Sequence, residues 1–311
     1  MTDAVETIAW VSTPPWHGKG FQVAGNLTPA EMMVAAQVDW TVSKRPIKYR
    51  RADGKTATTE EHFVLARDTD DRVLDVVGPR YVPVQNADAF QFMAEVAEAA
   101  DISMEVAGSL RNGQLVWGLA KINAGFSLPG KDRIEPYLLV GCPHQQGKAW
   151  MTQLTDVRVV CQNTFSQALR GSAASRITFR HVKEFTQVER KRVREAMGIV
   201  REQIDEHRDN IVKLTKITMS HDDGADFLFN LFDGEDPTKP NKVAQQAMTA
   251  LDHAPGYNLA SAKGTAWGVL NAATYTLDHL WRKDEDRRLY QSWFGTNASI
   301  KRRAFSSLLA A

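Results

Sequence analysis

Cysteine is nearly absent from this chain: Cys142 and Cys161 are the only two in 311 residues, and they stand in no metal-type spacing. Two such thiols make no disulfide framework and point to a reducing, cytoplasmic setting in a host cell. Net charge is nearly absent as well, at +1. That balance excludes a wholesale polyanion binder, so any nucleic-acid site must be a local patch. No apolar run approaches the length a bilayer span requires, and the N-terminus lacks a signal-peptide pattern, so no membrane partner is expected. Gly-x-Ser-x-Gly, His-Glu-x-x-His and a glycine-rich dinucleotide loop are all missing. No catalytic constellation and no cofactor are therefore expected. Lys263-Gly264-Thr265 superficially ends like a Walker motif, but the upstream glycine and the preceding strand are lacking.

What is present is the composition of a soluble globular protein, 43% hydrophobic and 24% charged, long enough to bury a sizeable core. Its centre is the stretch from Thr155 to His181. Val157 to Cys161 is β-branched and apolar, which reads as a buried strand or the entry to a helix. Asn163 or Thr164 is placed to cap a helix carrying Phe165, Ala168 and Leu169, which Gly171 would stop. Ile177 and Phe179 alternate with Arg176, Thr178 and Arg180, the period of a strand with one basic face. From Arg158 to Arg194 there are nine lysines and arginines against two acids, Glu184 and Glu189, the strongest local charge imbalance in the chain.

The N-terminal part reads as strands. Pro14-Pro15-Trp16-His17-Gly18-Lys19-Gly20 is turn-rich, either an arm pinned by Trp16 or a loop whose amides and Lys19 hold a phosphate. Thr28 or Asn26 opens a short helix. Val38 to Lys48 alternates, Asp53-Gly54 is a hairpin turn, and His62 to Arg67 is the return strand. Arg72 to Val77 is a third strand, and Asn86 caps a helix to Ala100. A second meander runs Ile102 to Leu110 and Gln114 to Ile122 around Arg111-Asn112-Gly113, followed by Ile134 to Val140 and Trp150 to Val160. After His181 the periodicity becomes helical. Val188 to Thr218 is amphipathic, Ser220 caps a helix to Phe232, and Asp233 to Asn241 is a linker-like loop. Helices follow over Val243 to Leu251, Thr265 to His279 and Asn297 to Leu309. The expected class is α+β: N-terminal antiparallel β-meanders packed on helices, then an all-helical C-terminal half. The expected domains are 1–185 and 186–311.

Basic residues group in Lys44 to Arg51, Arg158 to Arg194 and Lys301 to Arg303. Phosphate neutralisation by such groups supplies sequence-independent affinity for nucleic acid. The candidate contacts are Lys44, Arg45, Lys48, Arg50, Arg51, Arg158, Arg170, Arg176, Arg180 and Lys183, with Tyr49, Trp150 and Phe179 near enough in sequence to stack bases. On the first hairpin strand, Lys44, Lys48 and Arg50 share parity with Trp40 and Val42, a mixed aromatic–cationic face unless a bulge intervenes. Trp16, Trp267 and Trp281 are read as surplus aromatic surface for self-association. Two metal readings stand beside this: Asp222, Asp223 and Asp226, or Cys142, His144, Cys161 and His181. Asp at the first turn after a serine cap is better explained by the helix dipole.

Several stretches together resemble the phage/plasmid-like protein family built on the domain of unknown function 932. They are Pro15-Trp16-His17-Gly18-Lys19-Gly20, Tyr81-Val82-Pro83-Val84-Gln85-Asn86, Val160-Cys161-Gln162-Asn163-Thr164, and Gly264-Thr265-Ala266-Trp267 with Asn271-Ala272 and Asp278-His279. The resemblance covers nearly the whole chain in family order. More remotely, that family is similar to the Redβ- and Erf-type single-strand annealing recombinases. The resemblance implies a β-meander packed on a helix, rings or filaments, and single-stranded DNA laid along a basic groove without metal or nucleotide chemistry. Such proteins are usually strongly basic in the core domain, and this chain is not. The expectation is a phage- or plasmid-encoded single-strand-binding and annealing protein of homologous recombination, working as a homo-oligomer with a single-strand-binding protein or exonuclease partner. The alternatives are a metal-dependent nuclease using Asp222, Asp223 or His181, and a non-enzymatic interaction protein acting on host factors.

Overall fold

A computed structural model describes residues 5–12, 20–100, 102–158, 160, 163–166, 176–180, 204–232, 241–281 and 284–311. The chain is α+β, with strands in its N-terminal part and helices in its C-terminal part. It divides into two compact units. The first comprises 1–121, 138–153 and 176–198; the second comprises 122–137, 154–175 and 199–311.

The first unit opens with β1 (Val5–Trp10), a strand its sequence does not announce, whose Ile8 and Ala9 are buried. β2 (Phe21–Gln22) pairs with it in parallel. α1 (Pro29–Ala35) starts at a full capping box: the Thr28 hydroxyl accepts from Glu31 N–H while the Glu31 carboxylate accepts from Thr28 N–H. β3 (Val42–Arg50), β4 (Thr56–Arg67) and β5 (Val73–Val77) form a separate three-stranded antiparallel sheet, turned at Gly54 with φ of +81°. α2 (Asn86–Ala100) precedes the hairpin β6 (Ile102–Leu110) and β7 (Leu115–Ile122), whose turn holds Arg111 and Asn112 both at φ of 55°. Two positive φ values in a row match the right-handed twist of the flanking strands. β1 pairs antiparallel with β6.

Two motif residues close this unit. The Gln85 amide brackets the start of β3, accepting from Val42 N–H and donating to Val42 C=O. Asn86 does not cap α2 as its position suggests. Its buried amide donates to the carbonyls of Val38 and Trp40, and its Oδ1 lies 2.8 Å from His144 Nε2. With both amide hydrogens committed, Oδ1 must accept, so His144 Nε2 carries the proton. Replacing Asn86 with Ala strands two carbonyls and a ring nitrogen in the core, with an expected cost of about 2–3 kcal/mol. A urea midpoint equal to the parent's would contradict this role.

The second unit begins at β8 (Phe126–Leu128), which pairs with the start of β9 (Asp132–Pro143). β10 (Ala149–Arg158) pairs through its last residues with β11 (Asn163–Ser166). The helix expected to be capped by Asn163 or Thr164 is therefore a strand at these residues. Its continuation over Ala168 and Leu169 lies outside the described residues. β12 (Arg176–Arg180) is a strand as its alternation predicts, and it pairs with the first residues of β10 in the first unit.

Helices build the rest of the second unit: α3 over 204–216, α4 (His221–Phe232), α5 (Lys242–His253), α6 (Ala266–Tyr275), α7 (Glu285–Phe294) and α8 (Thr296–Ala310). Ser220 caps α4 as its sequence predicts, accepting from Asp223 N–H. α7 was not expected. α6 ends earlier than its periodicity suggests and passes into a single π turn, Thr276–Leu280, where the Thr276 hydroxyl bonds back to Ala272 C=O. Ile211, Leu214, Leu228, Leu270 and Leu308 meet Leu128 and Ile134 in one core. Among the described residues no helix is long and apolar enough to cross a membrane.

Candidate functional site

The hairpin β3–β4 has an inner and an outer half. In the inner half Val42 to Pro46 pair with Arg67 to Phe63, and β5 pairs with β4 only over Phe63 to Ala66. Lys48 then pairs with Thr58, so Ile47 stands opposite four residues, Thr59 to His62. Pro46 sits where a proline is tolerated, on an edge strand beside a bulge. Beyond the bulge, Ile47–Arg50 and Thr56–Thr58 pair only with each other, an arm with no residue of either strand fully buried.

The bulge sorts the basic residues. Lys44, half-buried, lies 4.8 Å over the Phe63 ring and donates to Pro79 C=O at 2.7 Å. Arg45 is held by two carboxylates, Asp68 at 2.9 Å and Asp71 at 2.5 Å. The Asp71 bond, then Asp68, pushes its pKa still higher. Its charge is spent locally. On the arm, Lys48 and Arg50 share one face with Thr58 and Thr56, while Tyr49, 51% exposed, shares the other with Ala57. Lys48 and Arg51 are exposed and make no side-chain hydrogen bond or ion pair among the described residues. Arg50 reaches back to Gly54 C=O at 3.3 Å. Trp40 and Val42 are buried, so neither joins Lys48 and Arg50 in an exposed mixed face; the exposed ring of the arm is Tyr49, on the face opposite those two cations.

The other sequence-predicted contacts fall elsewhere. Arg158 lies on β10 opposite Asn163; Arg176 and Arg180 lie on β12 opposite Gln153 and Ala149. These three side chains, and Arg170 and Lys183 entirely, are outside the described residues. Trp150 is no stacking platform: it is 1% exposed and meets Phe92 edge to face. Lys301 is no surface cation either; it and Asp278 are both 0% exposed and bonded at 2.8 Å.

That ion pair is the centre of a polar network which sequence reading missed. Asp278 Oδ1 accepts from Lys301 and from Ser292 Oγ; its Oδ2 accepts from Thr164 N–H and Oγ1. Lys301 also donates to Thr164 C=O at 2.7 Å and to Thr164 Oγ1. Asn163 Nδ2 donates to Thr274 Oγ1 and to Asn271 C=O. Nearby, Asp132 accepts from Ser261 Oγ and from Trp267 Nε1, so Trp267 is buried and offers no surface for self-association. His207 pairs with Asp156. Burial pushes the Lys301 ammonium below the ordinary lysine range, opposed by Asp278. The network anchors β11 to α6, the π turn, α7 and α8. Thr164, Asp278, Ser292 and Lys301 are each 0% exposed.

The metal readings gain no ligand set: among the described residues no three His, Cys, Asp or Glu side chains stand together as a metal requires. Asp223 is engaged in the Ser220 cap. Cys142 is buried, which pushes its thiol pKa up, and it contacts Val84 C=O. Cys161 and His181 lie outside the described residues.

His221, at the start of α4, binds Asp252 of α5 at 3.0 Å, and that bond raises its pKa above the ordinary histidine value. A raised folded pKa means the contribution is fully present below the unfolded value and is lost as pH rises through the folded one. NMR titration of His221 should give a midpoint above that of a free histidine, falling in Asp252→Asn. An unshifted midpoint in the parent would contradict the pairing.

No curated protein and no solved structure matches the chain. Residues 73–297 match the family described as Domain of unknown function (DUF932). The matched span contains Gln85 and Asn86, which hold the start of β3, and Asn163, Thr164, Asn271 and Asp278, which share the buried network. With well over half its length in that match, the chain belongs to the DUF932 family.

Proposed function

We propose that the protein binds single-stranded DNA along the β3–β4 arm and anneals complementary strands, acting in the cytoplasm of a host cell as a phage- or plasmid-encoded recombination protein. The observation that carries this reading is the arm itself. Lys48 and Arg50 are exposed on one face of it and the Tyr49 ring on the other, with Arg51 exposed just past the end of β3. Cations that track phosphates and an aromatic face that accepts any base are the two components of sequence-tolerant single-strand binding. The annealing step and self-assembly into a ring or filament are proposed from the remote resemblance read from the sequence motifs alone. The chain's near-neutral balance is compatible with binding because Lys48, Arg50 and Arg51 make a local basic patch.

The test is incubation of the protein with a labelled single strand, with and without magnesium, followed by addition of the complement. Expected are retained, intact DNA and faster duplex formation than without protein. Shortened DNA would favour a nuclease, and unretained DNA would remove the reading. Light scattering with and without DNA reports the assembly.

A further inference from the structure

The helical unit contains a second surface feature with ligand-binding geometry, a cleft of ≈ 260 Å³ between α4, α5 and α6. A short antiparallel bridge builds it. Thr218 faces Thr265, Met219 N–H donates to Gly264 C=O, and Ala266 N–H donates to Ile217 C=O. The loop from α5 to α6 turns at Gly256 and Gly264, with φ of 77° and 67°. It lies directly on α6 because residue 268 is glycine: a Cβ there would stand 2.1 Å from Ala262 C=O.

Met219, Leu251 and Val269 supply apolar lining, and Tyr257, 43% exposed, adds an aromatic ring. Lys263 lines the same cleft, exposed, with no ion pair among the described residues. Asp252 is also at the rim, hydrogen-bonded to His221 at 3.0 Å. Asp222 stands beyond His221, 3.7 Å from its Nδ1. An apolar surface with an aromatic ring suits a planar base, and an uncompensated lysine suits a phosphate. The volume is just below the roughly 300–1,000 Å³ of small-molecule pockets, which fits one nucleotide and not a dinucleotide.

We infer that this cleft is a binding site for a nucleoside monophosphate, with the base against Tyr257 and the phosphate at Lys263. The ligand is either a free nucleotide or the phosphorylated end of a strand. The Thr265 hydroxyl takes no part, since it caps α6 by accepting from Gly268 N–H and donates to Ser261 C=O. The inference concerns binding alone and is independent of the arm.

Titrating the full chain with dAMP by calorimetry tests it. Submillimolar binding is expected, weakened at least about fivefold by Tyr257→Ala and by Lys263→Ala, given the usual worth of a stacked base and a phosphate contact. Both side chains are exposed, so both variants should fold, which far-UV circular dichroism checks. Adenosine should bind more weakly than dAMP and be indifferent to Lys263→Ala. Displacement of dAMP by a 5′-phosphorylated but not a 5′-hydroxyl oligonucleotide identifies the strand end as the source; resistance to both identifies the free nucleotide. Lys48→Ala with Arg50→Ala should leave dAMP binding intact, which separates this site from the arm. No dAMP binding at millimolar concentration, or binding unaltered in both cleft variants, would overturn the inference.

Discussion

Replacing Lys301 with Met should destabilise the helical unit by about 3–5 kcal/mol, the usual cost of leaving one buried charge without its partner. Lys301 and Asp278 are both fully enclosed, so water cannot replace the lost ammonium. Asp278 would keep its bonds from Ser292 and Thr164 but retain a carboxylate charge in the core. The Thr164 carbonyl would also lose its donor. Adding Asp278→Asn to Lys301→Met should recover roughly 1–3 kcal/mol, because a neutral amide needs no counter-ion. Denaturant unfolding of the parent, both single variants and the double variant measures the coupling. A Lys301→Met protein within about 0.5 kcal/mol of the parent would show that the network contributes little. The functional consequence is indirect. Thr164 belongs to β11, which lies within the basic centre of the chain, and loosening it should disturb that segment without touching the arm.

The largest effect on binding is expected from Lys48→Ala combined with Arg50→Ala. The two side chains share one face of a ribbon that makes no other strand contact, so their loss should not reach the core. Removing two phosphate contacts should weaken single-strand binding about tenfold or more near 0.1 M salt, and flatten the salt slope by about 1.4. Tyr49→Ala should weaken binding at all salt concentrations without changing the slope, because stacking releases no counter-ions. Lys44→Ala is the contrast. Its ammonium lies on Phe63 and bonds the Pro79 carbonyl, so its loss should cost about 1 kcal/mol of stability and leave binding per folded molecule unchanged. An unaltered salt slope in the Lys48 and Arg50 double variant would withdraw the arm from the site.

The hairpins were legible because their signals are local. Asp53-Gly54 and Arg111-Asn112-Gly113 specify turns through backbone conformations that few other residues adopt, and both hairpins stand where those residues put them. Thr28 and Ser220 were legible for the same reason, since a cap reads the three residues after it. β1 was not, because Val5–Trp10 has little alternation of its own and is a strand by virtue of pairing with β6 across a wide sequence separation. α7 was hidden by its charge: its first residues, Glu285-Asp286-Arg287-Arg288, mask the apolar face that Leu289 and Trp293 bury.

The sequence by itself determined the class, the two hairpin turns, the caps at Thr28 and Ser220 and the family, because periodicity, turn chemistry and motif order are properties of neighbouring residues. Which polar residues are inside was decided only in three dimensions. Nothing local distinguishes Lys301 from Arg302 and Arg303 beside it, yet a helical step of about 100° turns each to a different side, and only Lys301 meets Asp278 and Thr164. Arg45 and Lys48 belong to one basic run, yet Asp68 and Asp71 stand against Arg45 while the bulge opposite Ile47 carries Lys48 out onto the arm. Charge runs are one-dimensional. Whether a charge is spent on a partner, buried, or left for a ligand depends on what the fold brings opposite it.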